Sequence, residues 1–140
     1  MNERGSMLPL LGGAIVLILV IIFGVSSATS LLIERHRLFA LADSAALAGA
    51  ESFDPARLRQ GVDGIVVTLE SPRVRESVAQ FFSMTDLSGF DSLRVERAET
   101  RDGRSAEVEL SSLWRPPVAS AFFPVSLRIR AEARSQAFIR

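Results

Sequence analysis

Apolar and polar residues follow three patterns along the chain. An apolar segment comes first, since no charged residue lies between Arg4 and Glu34. From Leu38, apolar residues recur at three- and four-residue spacings, which is typical of one helix face. From Val125 to Arg134, apolar and polar residues alternate, as in a strand with one buried face. The patterns predict a membrane-spanning helix, a continuation of that helix, and a sheet.

The apolar segment is long enough to cross a bilayer, because about 20 mainly apolar residues span the ~30 Å hydrocarbon core. We assign residues 10–33 to a single span. The alternative is a signal peptide cleaved near Ala28, where small residues suit a signal peptidase. The apolar core exceeds the roughly 7–15 residues of a signal peptide, and apolar residues resume at Leu31. A retained anchor is therefore favoured over cleavage.

Charges at the two ends of the span give a weak prediction of its orientation. Arg4 precedes the span, whereas Arg35 and Arg37 follow it. The positive-inside rule then places the C-terminal part in the cytoplasm, by a difference of about one charge.

An alanine-rich stretch follows the span and predicts that one helix runs from about Pro9 to about Glu51. Alanine is the best helix former, and such a helix would be on the order of 60 Å long. Its smooth face could pack against a sheet of the same chain or against a neighbouring copy. The residues proposed to pack against a partner are Leu38, Ala42, Asp43, Ala45, Ala46, Ala48 and Gly49.

The remaining residues predict a second helix and a small antiparallel sheet. Residues 65–69 have strand composition, and Ser71 followed by Pro72 predicts the capped start of a helix that ends near Met84. The last strand is predicted to extend as far as Ile139. We predict an α+β fold, with a membrane module in residues 1–53 and a small domain in residues 54–140.

A hairpin is predicted around Asp102 and Gly103, since Asp-Gly is a favoured two-residue turn. This turn places Val95 opposite Leu110. It also places Glu96 opposite Glu109, which a bulge or an uncovered strand end could relieve.

Few side chains could carry catalysis. The sequence has no cysteine, lysine or tyrosine and one histidine, His36, which excludes thiolate and Schiff-base chemistry. Glu107 and Glu109 share a strand face, where paired carboxylates are usually solvated rather than catalytic. A net charge of zero gives no sign of a nucleic-acid partner. We expect no enzymatic activity, cofactor, metal or small-molecule substrate.

Two further groups of side chains could bind a partner. Three arginines share a face of the last strand and could meet a partner or anionic lipid, although an ordinary exposed face is expected: Arg128, Arg130 and Arg134. Three aromatic residues could form core, a hydrophobic lip or a binding pocket: Trp114, Phe122 and Phe123.

Together, several short motifs resemble the N-terminal module of TadE/TadG-like proteins of bacterial tight-adherence (Flp) pilus assembly. They are ERGS at residues 3–6, the apolar segment, RHRL at residues 35–38 and ADSAALAGA at residues 42–50. The resemblance covers about the first 53 residues. Processed prepilins carry a glutamate five residues after the cleavage-site glycine. Here that position is Leu10, which argues against processing after Gly5.

The resemblance implies a pseudopilin-like assembly protein of the inner membrane, with a pilin-like domain outside the cytoplasm. Its partners would be other pilus-assembly or envelope proteins, contacted by the alanine-rich face. The implied orientation opposes the arginine count, and we follow the resemblance. The alternative function is a membrane-tethered or secreted binding module unrelated to pili, which would use the region of Trp114 to Phe123.

Overall fold

The apolar and alanine-rich segments form one helix, α1 (Met7–Ala50), in a computed structural model that describes residues 7–57, 59–61 and 64–137. The predicted continuous helix is confirmed. It ends where the Glu51 N–H donates to the Leu47 carbonyl (3.0 Å) and the Ser52 hydroxyl donates to the Gly49 carbonyl (2.6 Å). These bonds satisfy carbonyl groups that have no partner within the last turn.

Contacts divide the chain into two compact units. The first, here called the N-terminal unit, consists of α1 up to Ile33 together with Arg115–Ser126. The second, here called the sheet unit, consists of Glu34–Trp114 and the chain from Leu127 onward.

Three strands form the antiparallel sheet of the sheet unit: β3 (Asp91–Glu99), β4 (Ser105–Trp114) and β5 (Leu127–Gln136). Their spatial order is β3-β4-β5, so β4 is the central strand. The α+β prediction is confirmed. The alternating segment is indeed a strand, although it ends at Gln136, and Ile139 lies outside the described residues.

The second helix, α2 (Ser71–Met84), has the predicted start and end. Pro72 lies in its first turn, where the missing N–H has no cost. The predicted capping by Ser71 is wrong, because Glu70 occupies the cap position without a side-chain hydrogen bond. Ser71 instead exchanges hydrogen bonds of 3.2 Å with the backbone of Thr100, which ties α2 to the end of β3.

Within the sheet unit, α2 and the part of α1 after Ile33 cover one face of the sheet. A Cβ atom added at Gly49 of α1 would lie 3.1 Å from Ala106 of β4 and 3.1 Å from Val74 of α2. The Ser77 hydroxyl of α2 also donates to the Ala48 carbonyl (2.8 Å). The core between these elements is aliphatic and includes Leu38, Ala42, Ala45, Ala46, Val74, Val78, Ala98, Ala106, Val108, Leu110, Ile129, Ala131 and Ala133.

A bulge in β3 changes the predicted hairpin register. Val95 pairs with Leu110 as predicted, but the register shifts between Val95 and Arg97. Arg97 therefore lies opposite Glu109, and the predicted pairing of Glu96 with Glu109 is wrong. Without the extra residue, Glu96 would lie opposite Glu109, and a like-charged cross-strand pair is destabilising. With it, the oppositely charged Arg97 takes that place.

The predicted two-residue turn is also wrong, since regular pairing stops at Glu99 with Glu107. The Asp102 side chain accepts hydrogen bonds from the backbone N–H groups of Arg104 (2.9 Å) and Ser105 (2.7 Å). Gly103 adopts φ 69°, a conformation that favours glycine. A wider loop closed by the Asp102 carboxylate thus replaces the tight turn.

Short elements complete the chain. A single 3-10 turn (Pro55–Arg57) precedes a small antiparallel ladder of β1 (Arg59–Gly61) and β2 (Gly64–Val66). The strand expected at residues 65–69 is therefore only partly present, because residues 67–69 are not in a strand. A one-turn helix, α3 (Ala119–Phe122), belongs to the N-terminal unit.

Candidate functional site

Most residues proposed for partner packing on α1 are buried within the same chain. Leu38, Ala42, Ala45, Ala46 and Gly49 are buried. The alanines and Gly49 let α1 approach α2 and the sheet, and a Cβ atom at Gly49 would force its neighbours to shift. Within the sheet unit, these five residues are part of the core. Of the remaining two, Ala48 is half-buried.

The opposite face of the same helix segment is exposed and carries the last of the proposed residues, Asp43. Phe39 and Leu47 lie four residues before and after it, and they are 53% and 51% exposed. Residues four apart lie on one helix face. We call Phe39, Asp43 and Leu47 the exposed helix face. The sequence signal for it is weak, because an amphipathic pattern normally turns its large apolar residues toward the core.

His36 and its neighbours Arg35 and Arg37 are all exposed. Among the residues that the structure describes, no group of three or more histidine, aspartate or glutamate side chains could hold a metal ion.

The second face of the sheet is an ion-pair network rather than a row of separate solvated charges. Glu107 is 6% exposed, so the prediction of a solvated position is wrong for it. It lies directly opposite Glu99. Arg101 Nε bridges the two carboxylates, at 3.4 Å from Glu99 Oε1 and 3.2 Å from Glu107 Oε2. An intervening cation offsets the repulsion of a like-charged cross-strand pair.

A second like-charged pair is bridged in the same way. Glu109 lies opposite Glu132 across β4 and β5. Arg97 Nη2 lies 3.0 Å from Glu109 Oε2 and 3.4 Å from Glu132 Oε1. Two of the three arginines predicted to form an exposed face, Arg130 and Arg134, have side chains that are 63% and 54% exposed. The third, Arg128, is half-buried and donates to the Ser111 hydroxyl (3.0 Å).

Hydrogen bonds hold two carboxylates in their ionised form, Glu96 on β3 and Asp102 in the loop between β3 and β4. Backbone N–H groups of Arg104 and Ser105 donate to Asp102 and keep the pKa of that carboxyl well below its usual range. The Ser111 hydroxyl donates to Glu96 and lowers the pKa of Glu96. Carboxylates kept ionised in this way suit ion pairing rather than proton donation.

The aromatic residues proposed for a core or binding pocket separate into two groups. Trp114 ends β4 opposite Leu127 and is half-buried. Phe122 and Phe123, in the N-terminal unit, are 77% and 66% exposed. A core position is therefore wrong for these two residues, which form an exposed apolar surface.

The apolar part of α1 is suited to a membrane. Its most apolar 18-residue window has a mean hydropathy of 2.9, and none of that window is buried inside the protein. A helix of this length and composition can cross a bilayer.

Residues 5–52 match the model of a family described as putative Flp pilus-assembly TadE/G-like. The match covers about a third of the 140 residues and includes most of α1. It confirms the resemblance of the N-terminal module and supports involvement in Flp/Tad pilus assembly. No curated protein and no solved structure matches the chain.

Proposed function

We propose that the chain is a single-pass protein of the bacterial inner membrane and a pseudopilin-like structural component of a Flp/Tad pilus or related secretion system. The observation that carries this proposal is the coincidence of the family match at residues 5–52 with α1. That helix contains an unburied apolar stretch long enough to span a bilayer. The domain of residues 54–140 would lie outside the cytoplasm.

The proposed role is assembly rather than catalysis. On the polar sheet face, Glu107 and Glu109 are engaged by the guanidinium groups of Arg101 and Arg97. Such pairing stabilises the sheet and leaves these carboxylates poorly suited to proton transfer.

Partner contact is assigned to the exposed helix face. The small residues behind it, such as Ala45 and Ala46, are buried, and they fix the helix against the sheet. Phe39 and Leu47 then present two large apolar side chains beside the Asp43 carboxylate. Exposed apolar side chains at helical spacing suit packing against a partner helix.

Co-purification with the pilus-assembly proteins of the native host tests this role. Fully burying a large apolar side chain contributes about 1.5–3 kcal/mol. The double substitution Phe39→Ser and Leu47→Ser should therefore weaken association at least about tenfold. Membrane fractionation of the variant should not change, because the apolar span is intact.

The matched control also replaces two exposed apolar side chains by serine, at positions outside the exposed helix face. Met84→Ser with Val95→Ser removes two apolar side chains that are 75% and 45% exposed. This control should retain its partners. Equal loss in both variants, or full retention when Phe39 and Leu47 are changed, would contradict the assignment.

A further inference from the structure

The connection between β4 and β5, Arg115–Ser126, exposes several large apolar side chains. It contains no acidic residue, and its only charge is Arg115. Phe122 is 77% exposed, Phe123 66% and Val125 47%. Adjacent exposed phenylalanines are unfavourable in water, since each large apolar side chain gains about 1.5–3 kcal/mol on burial. We call Arg115–Ser126 the aromatic segment.

This segment belongs to the same compact unit as the apolar part of α1 up to Ile33. Within that unit, Ser27, Ser30 and Leu31 of α1 are half-buried, whereas most neighbouring positions are exposed. Their spacing of three and one residues puts them on one helix face. The covered face lies at the C-terminal end of the uncharged stretch, next to Glu34.

Part of the backbone of the aromatic segment is hydrogen-bonded within the segment. The N–H groups of Ser120, Ala121, Phe123 and Val125 donate to carbonyl groups of the same segment, at 2.7–3.2 Å. Three further positions are prolines, at residues 116, 117 and 124, and have no N–H group. An unpaired backbone group costs several kcal/mol in hydrocarbon, so internal pairing lowers the cost of an apolar environment.

We propose that the aromatic segment is a second membrane contact, which inserts Phe122 and Phe123 into the bilayer interface beside the outer end of the transmembrane helix. This inference rests on the proposed membrane insertion of α1. The aromatic segment and the apolar part of α1 belong to one compact unit, so a membrane around that helix would lie next to the segment. Phenylalanine side chains of a surface-lying segment bury in the boundary between headgroups and acyl chains. The Arg115 side chain can reach anionic headgroups while its stem remains apolar.

A fluorescent reporter in vesicles tests the contact with the full chain. The sequence has no cysteine, so Ser120→Cys introduces a single labelling site while both phenylalanines remain. The labelled protein is reconstituted into vesicles of phosphatidylethanolamine and phosphatidylglycerol, with or without brominated acyl chains. We expect the label at Ser120→Cys to emit at a shorter wavelength than the same label on a short peptide in water. Its fluorescence intensity should fall when the vesicles contain brominated lipid.

Two other labels and one variant make the result specific. A label at Ile18→Cys reports on the transmembrane helix, and a label at the exposed Gln80→Cys of α2 reports on a water-facing position. Adding Phe122→Ser and Phe123→Ser to the Ser120→Cys protein should abolish the quenching of the Ser120 label. Quenching at Ile18 should be unaffected.

The outcomes separate the two proposals. No quenching at Ile18 would contradict membrane insertion itself. Quenching at Ile18 without quenching at Ser120, or quenching at Ser120 that persists without the phenylalanines, would overturn the aromatic contact alone. Protection of the Ser120 label only after pilus-assembly proteins are added would also overturn it, in favour of a protein partner.

Discussion

At the scale of single residues, Gly49 controls how closely α1 approaches the sheet. A Cβ atom there would lie 3.1 Å from Ala106 and 3.1 Å from Val74. Gly49→Leu should therefore destabilise the sheet unit by about 1–3 kcal/mol or more, through overpacking. Thermal unfolding in detergent, followed by the fluorescence of Trp114, measures the change.

Gly24→Leu is the matched control for this prediction. It makes the same substitution on the same helix, at a glycine with nothing within 4 Å of the added Cβ atom. The melting temperature should then stay close to that of the unaltered protein. An equal loss of stability in both variants would show that helix composition, rather than the contact at Gly49, determines the effect.

Residue patterns predicted most of the buried positions of α1, but not what covers them. The alanine spacing defines one smooth helix face. A sheet of the same chain and a neighbouring helix could pack against such a face equally well. Only the folded chain shows Gly49 against Ala106. Glu107 was misplaced for a related reason. Alternation assigns its side of the strand to solvent, whereas Arg101 in the preceding loop and Arg134 on β5 cover it.

At the scale of elements, the bulge in β3 sets the register of the hairpin. Val95 pairs with Leu110 and Arg97 with Glu109, so Glu96 is an inserted residue. Deleting Glu96 should leave the domain folded with both flanking pairs intact. Hydrogen exchange should still protect the amides of β3 and β4, with only a small drop in melting temperature.

Deletion of Ala98 is the comparison for this element. Ala98 is buried and pairs with Val108. Its loss shifts Glu99 toward the apolar side of the sheet, because a one-residue slip reverses every side chain. Protection of β3 should then disappear. If both deletions were tolerated, or neither were, the bulge would not be a simple insertion.

The elements themselves were largely predictable, since length and periodicity defined α1, α2, β4 and β5. The failures were at connections. The Asp102-Gly103 dipeptide fits a tight turn, but the Asp102 side chain accepts two backbone hydrogen bonds and favours a wider loop. Side-chain competition of this kind depends on the geometry of the strands it joins.

At the scale of the whole molecule, two signals disagree on the orientation across the membrane. Arg35 and Arg37 oppose Arg4 and favour a cytoplasmic C-terminal domain, but the difference is about one charge. The resemblance of residues 5–52 to TadE/TadG-like proteins implies an outer domain, and we propose that orientation because the resemblance is the more specific signal. We expect a full-length, membrane-bound protein whose C-terminal domain is cleaved by protease added outside spheroplasts.

Intact mass and protease access on the same preparation test this orientation together with the state of the N-terminus. The mass should correspond to the whole chain, because Leu10 stands where processed prepilins carry glutamate. A soluble product that begins near Thr29 would establish signal-peptide cleavage and remove the anchor. A full-length protein with a protected domain would instead show that the arginine count determines the orientation. In that case the exposed helix face would meet cytoplasmic partners, and the aromatic segment would meet the inner leaflet.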